Sequence, residues 1–67
     1  MEIKYIEFYN NLSDFAIITN EYKNNMLIPD KGSYIRIDSG KHAGIYEVVN
    51  HTYYDNIKTL RINLIKH

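Results

Sequence analysis

The 67-residue sequence contains no cysteine and no tryptophan, a single proline and three glycines. Without cysteine there is neither a disulfide framework nor a thiolate zinc site, the devices that commonly stabilise chains this short. Stability must rest on packing, and at this length folding buries only about 60% of the surface that the unfolded chain exposes. No apolar run approaches the ~20 residues that cross a bilayer. The charged, Asn-rich amino-terminal stretch also lacks the basic flank, apolar core and small-residue cleavage site of a secretory signal. The expectation is one domain over residues 1–67, soluble and cytoplasmic, with one modest core.

An excess of one charge is missing as well, since eight basic residues balance eight acidic ones. This excludes the global positive field that drives sequence-independent binding to nucleic acid. The distribution is less even. Residues 1–30 hold Lys4 and Lys23 against Glu2, Glu7, Asp14, Glu21 and Asp30, two minus five, a net of −3. Residues 31–67 hold Lys31, Arg36, Lys41, Lys58, Arg61 and Lys66 against Asp38, Glu47 and Asp55, six minus three, a net of +3. Strands drawn from both halves can interleave, and a mixed, solvated surface is the expected result.

What is present is isoleucine and tyrosine, residues that suit a pleated, half-buried surface better than a helix. Residues 2–9 read as a strand with a bulge, with Ile3 and Tyr5 on one face and Ile6 and Phe8 on the other. A helical start is the alternative, because Ile3, Ile6 and Tyr9 also fall at three-residue spacing. Asn10, Asn11, Ser13 and Asp14 supply turn chemistry. The β-branched run Ile17, Ile18 and Thr19 then favours a strand over 15–22 rather than a helix capped by Ser13 or Asp14.

Residues 23–33 read as a loop, with Asn24 and Asn25 at one end and Pro29, Asp30, Lys31 and Gly32 at the other. Proline pre-sets φ for a turn, and Gly32 can take a positive φ. Met26, Leu27 and Ile28 are too apolar for a free loop and are expected to seal one end of the core. Further strands follow at 33–38, 45–54 and 58–65, with a tight hairpin turn at Asp55 and Asn56. In the last of them Leu60, Ile62 and Leu64 share one face and Thr59, Arg61 and Asn63 the other. If Tyr46 and Val48 face inward, Asn50 would follow them, so a bulge near Val49 and Asn50 is expected to re-aim the strand towards Thr52 and Tyr54. Five strands with short connections cover both faces by bending into a small, partly open all-β barrel.

The stretch Gly32-Ser33-Tyr34-Ile35-Arg36-Ile37-Asp38-Ser39-Gly40-Lys41-His42-Ala43-Gly44 resembles the start of a KOW motif, in which an alternating strand leads into Gly-Lys-x-x-Gly. The resemblance covers residues 32–49 and departs from the family at Glu47, where a further glycine is usual. It implies an SH3-like, five-stranded barrel and, as a function, attachment to RNA, ribosomes or RNA polymerase. Fold and function are separable here, because one fold hosts many jobs.

No constellation points to catalysis. His42, His51 and His67 do not pair at ligand spacing, so no metal or other cofactor is expected. Ser39-Gly40-Lys41 is too short for a phosphate-binding loop. The candidate binding residues are Tyr34, Arg36, Lys41, His42, Tyr53, Lys58 and Arg61, which combine planar groups and donors able to anchor protein partners or stack on bases. The competing explanation is cross-strand tyrosine packing with solvated charges. Brevity and an Asn/Ile/Lys/Tyr-rich composition suggest a non-catalytic protein-interaction module, an accessory or inhibitory protein of a phage or other mobile element. A KOW-like nucleic-acid-binding domain is the alternative, and pairing of exposed strand edges between copies is a third expectation.

Overall fold

A computed structural model describes residues 2–12 and 15–67. The strands are β1 (Tyr5–Asn10), β2 (Phe15–Glu21), β3 (Tyr34–Ile37), β4 (Gly44–Tyr54) and β5 (Thr59–Lys66), with a single 3-10 turn at Asp55–Ile57. They form one sheet in the order β2-β1-β5-β4-β3. The middle strand β5 and its neighbour β1 run parallel, and every other neighbouring pair is antiparallel. A flat sheet would be thin in one direction, yet the chain measures 30 × 24 × 23 Å. The sheet is instead curled into a half-barrel, an all-β architecture compatible with a small SH3-like barrel.

The concave side holds the core. Ile6, Tyr46, Val48, Leu60, Ile62 and Leu64 are buried, and all but Leu60 are almost fully so. Alternation explains the set, because Ile6 lies opposite Leu60 across the parallel pair and Val48 opposite Leu64 across the antiparallel one. Each such side chain contributes about 1.5–3 kcal/mol through removal from water. Thr59 and Asn63, on the other face of β5, are also buried. The central strand is therefore covered from both sides.

Several local expectations need correction. The amino terminus is neither helical nor paired from residue 2: the strand begins at Tyr5, and Lys4 and Tyr5 both donate their N–H to the Lys58 carbonyl. The first register shift pairs Phe8 with Ile18 but Tyr9 with Ala16, so the extra residue is Ile17 and the bulge belongs to β2, not β1. The 22–33 loop seals the core with Met26 and Ile28, whereas Leu27 is 94% exposed, since three consecutive side chains cannot all point one way. The expected two-residue hairpin is a 3-10 turn followed by Lys58 in the left-handed region, a longer connection built on a helical turn. Ser13 and Asp14, expected in the first turn, lie outside the described residues.

The bulge in β4 is present, between Val48 and Asn50. It does not turn Thr52 and Tyr54 inward as expected: the extra residue, Val49, sends Asn50, Thr52 and Tyr54 to the convex face, opposite Asn63, Arg61 and Thr59, while Tyr53 joins the core side opposite Leu60. The loop before β3 is tied down beside it. Gly32, at φ +89, donates its N–H to the Val48 carbonyl, and His51 Nε2 donates to the Pro29 carbonyl at 2.7 Å.

Candidate functional site

The seven residues singled out from the sequence do not form one surface. Tyr34 and Arg36 lie on the convex face of the edge strand β3, both exposed. Lys41 and His42 sit in the turn that follows, where the His42 carbonyl accepts the hydroxyl of buried Tyr46 at 2.7 Å. Tyr53 packs on the concave side, its hydroxyl donating to the Glu2 carbonyl. Lys58 follows the 3-10 turn and donates to Asp55 Oδ1 at 3.0 Å, a hydrogen bond that raises the lysine pKa, reinforced by the carboxylate's charge.

Arg61 stands in the middle of the convex face. Its Nε donates to Glu7 Oε1 at 2.5 Å, and its guanidinium carbon lies 3.9 Å from the Tyr9 ring centroid and 4.7 Å from that of Tyr54. Beside it Asn63 Nδ2 donates to Asn50 Oδ1 at 2.7 Å and to Thr52 Oγ1 at 3.0 Å. A guanidinium between two aromatic faces gains cation–π attraction, and the carboxylate neutralises its charge. The group is thus a closed polar cluster, three-quarters covered, with little positive charge left for an anion.

The open side of the half-barrel is the feature that sequence reasoning missed. The edge strands β2 and β3 do not pair with each other. Between them lies a groove of about 220 Å³ lined by Phe8, Ile18, Ile35 and Ile37, with Arg36 at its rim. Its walls are apolar because Ile35 and Ile37 alternate inward from β3 while the β2 bulge sets Ile18 opposite Phe8. The groove is smaller than the roughly 300–1,000 Å³ typical of small-molecule sites. It suits one or two side chains, and the strand edges on either side offer backbone donors and acceptors. No local signal in the sequence marked it, because Ile18 is exposed, at 39%, only through the place of β2 at the sheet edge.

Among the described residues no three histidine, aspartate or glutamate side chains gather at metal-binding distance. No helix among them is long and apolar enough to cross a membrane. Compared with protein-family models, with curated proteins and with solved structures, the chain matches none.

Proposed function

We propose that the protein is a non-catalytic binding module that accepts an extended segment of a protein partner along the open side of its half-barrel. The observation that carries this reading is the apolar groove between two unpaired strand edges. An added strand would hydrogen-bond to β2 or β3 through its main chain and place every second side chain on Phe8, Ile18, Ile35 and Ile37, the mode known as β-augmentation. A phage or mobile-element inhibitor that masks a strand of its target fits this mode, and so does an accessory subunit.

A KOW-like role at nucleic acid is the second reading. It is favoured by the resemblance of residues 32–49 and by the Tyr9, Arg61 and Tyr54 stack, since planar groups on a sheet can receive bases. The balanced charge and the Glu7 carboxylate on Arg61 weigh against it.

Affinity capture from lysate with the wild type and with Ile18→Lys, followed by hydrogen exchange on the purified complex, tests the first reading. A protein captured by the wild type, lost with Ile18→Lys, and slowing exchange in residues 15–21 or 34–37 is the expected result. Retention of nucleic acid that falls steeply with added salt and survives Ile18→Lys would overturn it in favour of the second.

A further inference from the structure

The convex side of the same sheet carries a second pattern, which meets the groove only at Arg36. Tyr34 pairs with Glu47 and Arg36 with Ile45. Residues two apart on a strand share a face, about 6.7 Å apart, and neighbouring strands lie about 4.8 Å apart, so these four occupy the corners of a rectangle on the surface of β3 and β4. The intervening Ile35 and Tyr46 belong to the core side. One diagonal of the rectangle is apolar, with Tyr34 58% and Ile45 46% exposed. The other carries opposite charges, Arg36 and Glu47. Ile65 extends the patch, as the partner of Glu47 on β5, and His67 meets the Tyr34 ring edge-on at 5.3 Å.

Both charges lack a firm counter-ion. Arg36 reaches only Asp38, at 3.6 Å with both side chains largely in solvent, and half-buried Glu47 has no ion pair among the described residues. An exposed apolar diagonal beside a carboxylate and a guanidinium that lack a firm counter-ion leaves charges that a complementary surface can pair.

We propose that this face is a two-fold interface with a second copy of the chain. A two-fold axis in the plane of contact, along the Tyr34–Ile45 diagonal, sets Tyr34 on Tyr34 and Ile45 on Ile45 of the second copy. The same rotation brings each Arg36 to within about 3 Å of facing the other copy's Glu47, an offset that the long arginine side chain spans. The two ion pairs are equivalent, as an isologous contact requires. An axis along or across the strands would instead set each charge on an apolar side chain, and the other diagonal would set like charges together. The charge pattern therefore selects one arrangement, in which the two sheets cross steeply, at about 70°, towards the orthogonal mode of sheet packing. A patch this small lies at or below the roughly 1,200 Å² that marks weak, transient interfaces, so the dimer dissociates on dilution.

Analytical ultracentrifugation of the full chain at low salt, up to about 1 mM, tests the arrangement. The wild type should show a reversible monomer–dimer equilibrium. R36E and E47R should each weaken it by about tenfold or more through like-charge contacts. The double variant R36E/E47R should recover it, and an equimolar mixture of the two single variants should form a heterodimer that neither forms alone. Urea midpoints confirm that each variant is folded. A wild type that stays monomeric throughout, or a dimer indifferent to the charge swaps, overturns the proposal. So does a dimer abolished by Ile18→Lys, because it would lie at the groove and not on this face.

Discussion

Glu7 and Arg61 are direct neighbours across the parallel pairing of β1 and β5, joined by a 2.5 Å contact between residues 54 positions apart. Their side chains are only 17% and 26% exposed, so the pair is held by geometry that solvent does not readily loosen. Removing one member strands the other. Arg61→Ala should therefore cost about 2–4 kcal/mol, since it leaves a covered carboxylate uncompensated and uncovers Tyr9 and Tyr54. Arg61→Lys keeps the charge but loses the planar fork between the rings, and should cost about 1 kcal/mol. Urea unfolding of the two variants checks the order. Equal losses would mean that the charge kept by lysine contributes nothing, and an Arg61→Lys variant as stable as wild type would mean the same of the stacking.

This pair also marks how far the sequence was legible. All five strands could be read from alternation and turn residues, because both signals are local, and the β4 bulge followed from the clash between Val48 and Asn50. The parallel neighbourhood of β1 and β5 had no local signal. It depends on which strand edges meet after a crossover from one end of the chain to the other. Without it, Arg61 looked like an exposed binding residue, while Tyr9 and Glu7, which enclose it, were passed over. The groove was hidden for the same reason, as Phe8 and Ile18 face Ile35 and Ile37 only once the sheet curls. Tyr53 was misplaced although the bulge was expected, because one extra residue reverses the face of every residue after it and so turns Tyr53 inward rather than Thr52 and Tyr54.

Gly44 opens β4 at φ +147, a conformation that side chains rarely adopt. A Cβ there would also lie 2.8 Å from Lys66 Cε. The second conflict is cheap to relieve, because the far end of a lysine can swing away, whereas the first belongs to the backbone. Gly44→Ala should destabilise the fold by about 1–3 kcal/mol. Adding Lys66→Ala should recover little of that loss. A double variant restored to wild-type stability would show that contact, not backbone conformation, sets the requirement.

Tyr46 links the core to the turn whose glycines carry the KOW resemblance. Its ring is almost fully buried, and its hydroxyl ends on the His42 carbonyl. Tyr46→Phe keeps the ring and loses the bond, so the cost should be about 1 kcal/mol. The loss should be felt locally as well. Ala43, whose N–H donates to the Gly40 carbonyl at 3.2 Å, should exchange its amide hydrogen faster by more than the global destabilisation explains. Uniform acceleration across the chain would mean that the turn holds without the tether.

Lys58 combines two effects that pH can separate. Its backbone is left-handed at φ 52, a strain that glycine would not feel, and its ammonium is held by Asp55. The hydrogen bond to Asp55, then the charge of that carboxylate, raise the lysine pKa above its ordinary value of 10.5. A group bound more tightly to its proton when folded stabilises the native state fully below the unfolded pKa, and loses that contribution as pH rises through the folded one. The difference in urea midpoint between wild type and Asp55→Asn should thus be constant around neutral pH and shrink above about pH 10.5. Lys58→Gly should be more stable than Lys58→Ala at every pH, because both lack the ammonium and only glycine relieves the backbone. A Lys58→Ala variant matching Lys58→Gly would show that the left-handed turn carries no strain.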